Sequence, residues 1–193
     1  QFLQVAQDAV ELADGRTARR EYIVHPGAAM IIPLLRDKEG GIRVVLERQF
    51  RYPVGQVMVE FPAGKLDAGE SLLACAQREL QEETGYFAQE WAHAGQLHPA
   101  IAYSTEFIDV WFARGLVKGV QHLDADECLD VFTATPAELF TWCVDGTVTD
   151  ATTLFGALWL QNVLIGDWML NWNCADALNG KQDTLKSARA DVG

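Results

Sequence analysis

Three glutamates, Glu79, Glu82 and Glu83, stand at i, i+3 and i+4 in the stretch SLLACAQRELQEET, residues 71–84. A helix there carries all three on one face. With Leu72 set at zero and about 100° added per residue, Leu72, Ala76, Leu80 and Leu73 fill an apolar arc of roughly 100°. Glu83 then falls at about 20° and Glu79 at about 340°, inside or at the edge of the arc that faces the core. Glu82 lies further out at about 280° and Arg78 at about 240°. A solvated acidic face would put its acids opposite the apolar arc. Three like charges within one turn also repel, by a few tenths of a kcal/mol per pair. A divalent cation removes that cost, and hard cations such as Mg²⁺ prefer carboxylate oxygen.

The helix has its own start and stop. Ser71 is a capping residue, Gly85 can end the helix in the left-handed conformation, and no Pro or Gly interrupts it. Just before it, residues 64–70 (GKLDAGE) read as a turn-rich loop containing Lys65 and Asp67. Lys65 reads as a loop cation and Asp67 as a turn stabiliser.

Gly64, five residues, Glu70, seven residues, Arg78-Glu79-Leu80, one residue, Glu82-Glu83, one residue and Gly85 resembles the signature of the Nudix hydrolases, the Nudix box. Tyr86 stands where the family more often has an aliphatic residue, a difference in packing and not in chemistry. The resemblance extends over roughly residues 20–163, through RREYIVHPGAAMIIPLL, VLERQFRYPVGQVMVEFPAGKLDAGE, a proline-led loop ending in Glu106, and DGTVTDATTLFGALWLQ. These segments are similar to ADP-ribose pyrophosphatases. The loop departs from their commoner Ser-Pro-Gly, with His98-Pro99-Ala100 and a longer run to Glu106.

The resemblance implies an α/β fold, a Nudix-type α/β/α sandwich with a mixed sheet and an N-terminal β-hairpin arm. It implies two or three Mg²⁺ or Mn²⁺ ions, held by Glu79, Glu83 and the carbonyl of Ala63, with Glu82 close by or acting through water. It implies hydrolysis of ADP-ribose to AMP and ribose 5-phosphate. Glu106 is the candidate general base and Glu82 the runner-up. Arg78 is placed to orient carboxylates such as Glu70. Arg51 matches a phosphate-contacting arginine, and guanidinium suits that geometry. Arg20 and Glu21 match strand residues that reach the substrate, often across a swapped homodimer. Phe2 is read either as an adenine stacker or as an ordinary apolar residue. Two other readings stand beside this one: a hydrolase of another nucleoside diphosphate sugar or dinucleotide, and a non-catalytic nucleotide-sensing module. The latter would be expected to lack metal-ligand acids, and all of them are present.

Composition bounds the partners. The 193 residues carry a net charge of −12, which argues against sequence-independent binding of nucleic acid. The acidity also poses a problem for an anionic substrate, which bound cations would solve locally. Cys75, Cys128, Cys143 and Cys174 show no metal spacing and read as buried free thiols of a cytoplasmic protein. The four histidines are dispersed and read as structural or surface residues. No signal peptide or membrane span is expected; the apolar run 157–170 is broken by Gln161, Asn162 and Asp167.

Along the chain, residues 2–24 read as a hairpin turning at Asp14-Gly15, expected to pack on its own domain or on a second subunit. Strands are expected over 27–35, 42–49, 57–61, 91–97, 107–116 and 129–133. Residues 98–106 and the acidic segment around Asp124, Asp126 and Glu127 read as loops. Helices are expected from Pro136 to Val144 and from Ala151 to about Asn171. The domain plan is an arm over 1–24, a Nudix domain over 25–176 and a mobile polar tail over 177–193. Trp159, Trp168 and Trp172 are read as core residues, with a subunit interface as the alternative.

Overall fold

A computed structural model describes residues 3–123 and 128–175. Phe2, the acidic segment 124–127 and the tail 177–193 lie outside the described residues. In chain order the elements are β1 (Gln4–Glu11), β2 (Thr17–Val24), β3 (Ala28–Arg36), β4 (Ile42–Arg51), β5 (Gln56–Glu60), β6 (Ala63–Lys65), α1 (Leu72–Thr84), β7 (Tyr86–Leu97), β8 (Ile108–Lys118), β9 (Leu129–Ala134), α2 (Pro136–Asp145), α3 (Ala151–Ile165) and β10 (Asn173–Cys174).

The main sheet is mixed and runs β10-β7-β8-β3-β4-β5, with β9 on β4 and β6 on β3. β3 and β8 are parallel, and their near-continuous apolar runs are what a strand covered on both faces requires. Alternate residues of β3 serve opposite layers. Ala29 and Ile31 pack with Leu73, Cys75, Ala76 and Leu80 of α1 and with Trp91 and Trp111. Met30 and Ile32 pack with Leu46, Phe61 and Phe112 and with Leu139 of α2 and Leu160 of α3. The expected α/β/α sandwich is therefore present, and each buried Leu contributes about 1.5–3 kcal/mol.

One edge of β3 divides. Residues 28–30 pair with β6, while residues 34–36 pair with β4. Between them the Ile31 N–H donates to the Pro62 carbonyl at 2.9 Å. β4 and β5 thereby diverge from α1, the helix of the box, and leave a cleft between them.

Several boundaries differ from those read in the sequence. β7 begins at Tyr86, immediately after Gly85, because the left-handed glycine reverses the chain directly into the strand. The start of the expected loop, Gly64 and Lys65, belongs to a strand, Ala63–Lys65, paired with β3. α3 stops at Ile165 and not near Asn171, because Gly166 adopts φ 84° and its N–H closes on the Asn162 and Val163 carbonyls. Trp159 and Trp172 pack against the core, whereas Trp168 is 41% exposed. The described cysteines are free, as expected, but only Cys75 is fully buried; Cys128 and Cys174 are exposed.

β1 and β2 form a separate two-stranded sheet with neither face buried. The hairpin does not fold back on its own domain as one reading expected. It is anchored at its end, where Ile23 exchanges backbone hydrogen bonds with Tyr103 and Thr105 (2.8 and 3.0 Å).

Candidate active site

α1 is fixed at both ends. The Ser71 hydroxyl accepts from the Ala74 N–H at 3.2 Å. At the other end the carbonyls left over by the helix are all taken: Glu82 by the His122 N–H, Glu83 by the Gln121 amide and Thr84 by the Lys118 ammonium. The acids it carries are thus held on a rigid element. Glu79 and Glu83 are 8% and 3% exposed, and Glu82 projects further out. The helical rotation predicts this order, because two of the three acids share the arc of Ala76 and Leu80.

Arg78 organises the face. Its Nε and Nη2 donate to both oxygens of Glu70 at 2.9 Å. Its Nη1 donates to Glu79 Oε1 at 2.8 Å and to Glu82 Oε2 at 3.0 Å, and Nη2 also reaches the Lys65 carbonyl at 3.0 Å. The hydrogen bonds to Glu70, with the nearby charge of Glu79, hold the guanidinium far above its usual range. In return Arg78 holds the Glu70 carboxyl below the usual carboxylate range. The expected orientation of Glu70 by Arg78 is present and is bidentate, the strong form of this contact.

The loop side of the site is backbone. The Ala63 N–H donates to Glu83 Oε2 at 3.0 Å. Gly64 lies so close to Glu79 that a Cβ there would sit 1.9 Å from Oε1. Its φ is ordinary, so the glycine is required by the close approach of a carboxylate and not by a turn. The Cys75 thiol meets the Gly64 and Lys65 carbonyls at 3.5 Å; burial, and then the charges of Glu79 and Glu70, push it up to about 12. It stays protonated at neutral pH and is a poor candidate for a thiolate ligand.

Across the cleft, Arg51 at the end of β4 donates Nε and Nη2 to the two oxygens of Glu60 at 2.8 and 2.6 Å. This contact, with Glu47 and Glu83 nearby, raises the guanidinium above its usual range. Glu47 pairs opposite Glu60 in the β4–β5 register and is 1% exposed. Neither acid was singled out in the sequence. A signal was there: Glu47 directly follows the apolar run Val44-Val45-Leu46 and stands four residues from Arg51, and so on the same face of the strand.

Arg51, Ala63, Gly64, Arg78, Glu79, Glu82, Glu83 and Glu106 all line one cavity of about 910 Å³, with His25, Glu60, Lys65, Asp67 and Asp150. Asp150 caps α3, and the α3 residue Thr153 accepts the Phe61 N–H at 3.3 Å, which ties that helix to the strand entering the box. Arg20 and Glu21 are not brought to this cavity within the chain. They lie on the exposed hairpin, where Arg20 donates to the Arg19 carbonyl and Glu21 accepts from Gln7.

Seven carboxylates and three Lys or Arg side chains face the cavity. A diphosphate entering it therefore meets net repulsion unless added cations neutralise the wall. Among the described residues no three His, Cys, Asp or Glu side chains converge as a finished metal cage; Arg78 stands between Glu79 and Glu82. The donor set nevertheless suits a hard divalent ion, with carboxylate oxygens seated against a backbone that lacks a Cβ.

Comparison with known proteins agrees with this arrangement. The NUDIX domain family model matches residues 24–151. The chain is 35% identical over 158 residues to the "Methanol dehydrogenase activator" of Bacillus methanolicus, spanning 80% of this chain and 82% of that protein. It is 33% identical over 154 residues to the "ADP-ribose pyrophosphatase" of Bacillus subtilis (strain 168), spanning 79% and 81%. A solved structure titled "Crystal structure of ADP compounds hydrolase" superposes with a TM-score of 0.76 at 23% identity, covering 86% of this chain and 89% of that one. That likeness establishes the fold.

Proposed function

Because the chain belongs to the NUDIX domain family, we propose that it is a pyrophosphohydrolase that cleaves ADP-ribose to AMP and ribose 5-phosphate. The observation that carries the reading is the convergence of the buried box acids, Arg51 and Glu106 on one cavity. Its relatives named ADP-ribose pyrophosphatase, at 33% identity over most of their length, supply the substrate.

Glu79 and Glu83, with the Ala63 carbonyl and Glu82, are the residues that would hold divalent ions; Mg²⁺ and Mn²⁺ fit oxygen donors. When bound there, such an ion would supply charge to offset the diphosphate and would lower the pKa of a water ligand. The protein's own residues do the rest. Arg78 holds Glu79, Glu82 and Glu70 in one geometry. Arg51, braced by Glu60, offers its remaining N–H groups to a phosphate oxygen. Glu106 accepts the proton of the attacking water as its oxygen bonds to phosphorus, and the bridging oxygen leaves with the other phosphate.

The hairpin, whose two faces are uncovered among the described residues, supports a homodimer in which Arg20 and Glu21 reach a neighbouring copy's cleft. A cytoplasmic location suits the free thiols; among the described residues no helix is long and apolar enough to cross a membrane.

Glu83→Gln tests the reading. It should lower kcat on ADP-ribose by at least about a hundredfold while the circular dichroism spectrum is kept. A kcat near that of the unaltered enzyme would refute the assignment. A panel of nucleoside diphosphate sugars and dinucleotides, ranked by kcat/KM, checks the substrate; equal rates across it would remove ADP-ribose from its place.

A further inference from the structure

His25 lies between the arm and the cavity, and its ring is held in one chemical form. The Gly27 N–H donates to His25 Nδ1 at 3.1 Å. A nitrogen that accepts carries no hydrogen, so the ring hydrogen is on Nε2. Nε2 is 3.8 Å from Glu106 Oε1, and both side chains are largely buried, at 17% and 29% exposure.

The two residues are brought together by a dedicated seam. Ile23 bonds to Tyr103 and Thr105 through the backbone, and the His25 N–H donates to the Thr105 hydroxyl at 2.9 Å, which returns a bond to the His25 carbonyl at 3.3 Å. On the other side, Glu106 donates its N–H to the Ser104 hydroxyl at 3.1 Å, and its carbonyl lies 3.2 Å from the His98 ring. The backbone on both sides of the Glu106 side chain is thus pinned, with His25 Nε2 3.8 Å from its carboxylate.

We infer that His25 is a positioning residue for Glu106: locked by Gly27 with its hydrogen on Nε2, it grips one carboxylate oxygen and leaves the other to take the proton from water. The present gap is longer than a hydrogen bond, and contacts of this kind commonly tighten when substrate binds. A carboxylate free to rotate presents its base oxygen only part of the time; one held at Oε1 presents it continuously. This rests on the assignment of Glu106 as the base.

The test uses two replacements that split the imidazole. His25→Asn keeps an acceptor where Nδ1 is and loses the donor toward Glu106. His25→Gln keeps an amide donor near the Nε2 position. His25→Asn should lower kcat on ADP-ribose about tenfold with KM and Tm unchanged, and His25→Gln should stay within about threefold of the unaltered enzyme. In a Glu106→Gln background His25→Asn should cost nothing further, because the group it acts through is gone. Unchanged kcat in His25→Asn, equal losses in both variants, or losses that simply add to that of Glu106→Gln would each overturn the inference. If His25→Asn also lowers Tm, His25→Gln decides: a kcat that stays high supports the inference, and a kcat that falls tenfold overturns it. ¹⁵N NMR of the ring judges the tautomer without turnover; a hydrogen on Nδ1 overturns the inference. Normal turnover by Glu106→Gln would instead remove the base assignment, and absent turnover by the unaltered enzyme would remove the proposed function.

Discussion

Replacing Gly64 by alanine should inactivate this enzyme while leaving it folded. The added Cβ would meet Glu79 at Oε1, Cδ and Oε2, at 1.9, 2.0 and 2.4 Å. Ordinary contact begins at 3.4 Å, so the carboxylate must retreat by about 1.5 Å. The retreat is cheap for the fold, because the colliding group is the end of a flexible side chain and Gly64 needs no positive φ. It is costly for chemistry: a misplacement of about 1 Å at a reacting centre lowers the rate by about 10²-fold. The assay is kcat on ADP-ribose at saturating Mn²⁺, with Tm measured on the same samples. Gly40→Ala is the control. Gly40 has φ +85° with nothing within 4 Å, so alanine there costs about 1–2 kcal/mol of stability and no activity. If Gly64→Ala kept kcat within threefold, the Glu79 carboxylate would have no role at its observed place, and the inference from close approach would fail.

Two further outcomes are expected. Arg51→Ala removes the proposed phosphate contact and leaves Glu60 facing the cavity without its bidentate partner, so kcat/KM for ADP-ribose should fall about 10–100-fold; steady-state kinetics check it, and an unchanged KM and kcat would argue for a purely structural pair. Asp109, 2% exposed and 3.0 Å from His93, has its carboxyl raised mainly by burial, with His93 opposing. A carboxyl raised in the folded state binds its proton more tightly there, so it costs stability as pH rises from the ordinary carboxylate value through the raised one. Asp109→Asn should therefore raise Tm at pH 7 relative to its effect at pH 4; a lower Tm at pH 7 would show that the His93 contact outweighs burial.

The box helix was fully legible in the chain. Its cap, its terminating glycine and the burial of Glu79 and Glu83 all follow from local rules: a hydroxyl at the start, a residue free to be left-handed at the end, and a fixed rotation per residue. The buried central strand was legible in a similar way, since residues 27–35 are a nearly continuous apolar run and β3 is covered on both faces. The length of α3 was not. Its apolar run continues past Ile165, and what ends it is a single backbone conformation at Gly166.

What the sequence could not decide is which distant residues meet. Arg51 and Glu60 are joined across a hairpin, and His25 meets Glu106 across 81 positions of chain. Spacing fixes neighbours within one helix or strand, because the backbone repeat is constant there. Contacts between elements depend on how the sheet divides at β3 and how one loop docks on Ile23, and no local periodicity encodes either. The acids of the box were readable one by one; the cavity that makes them a site exists only once the strands have parted.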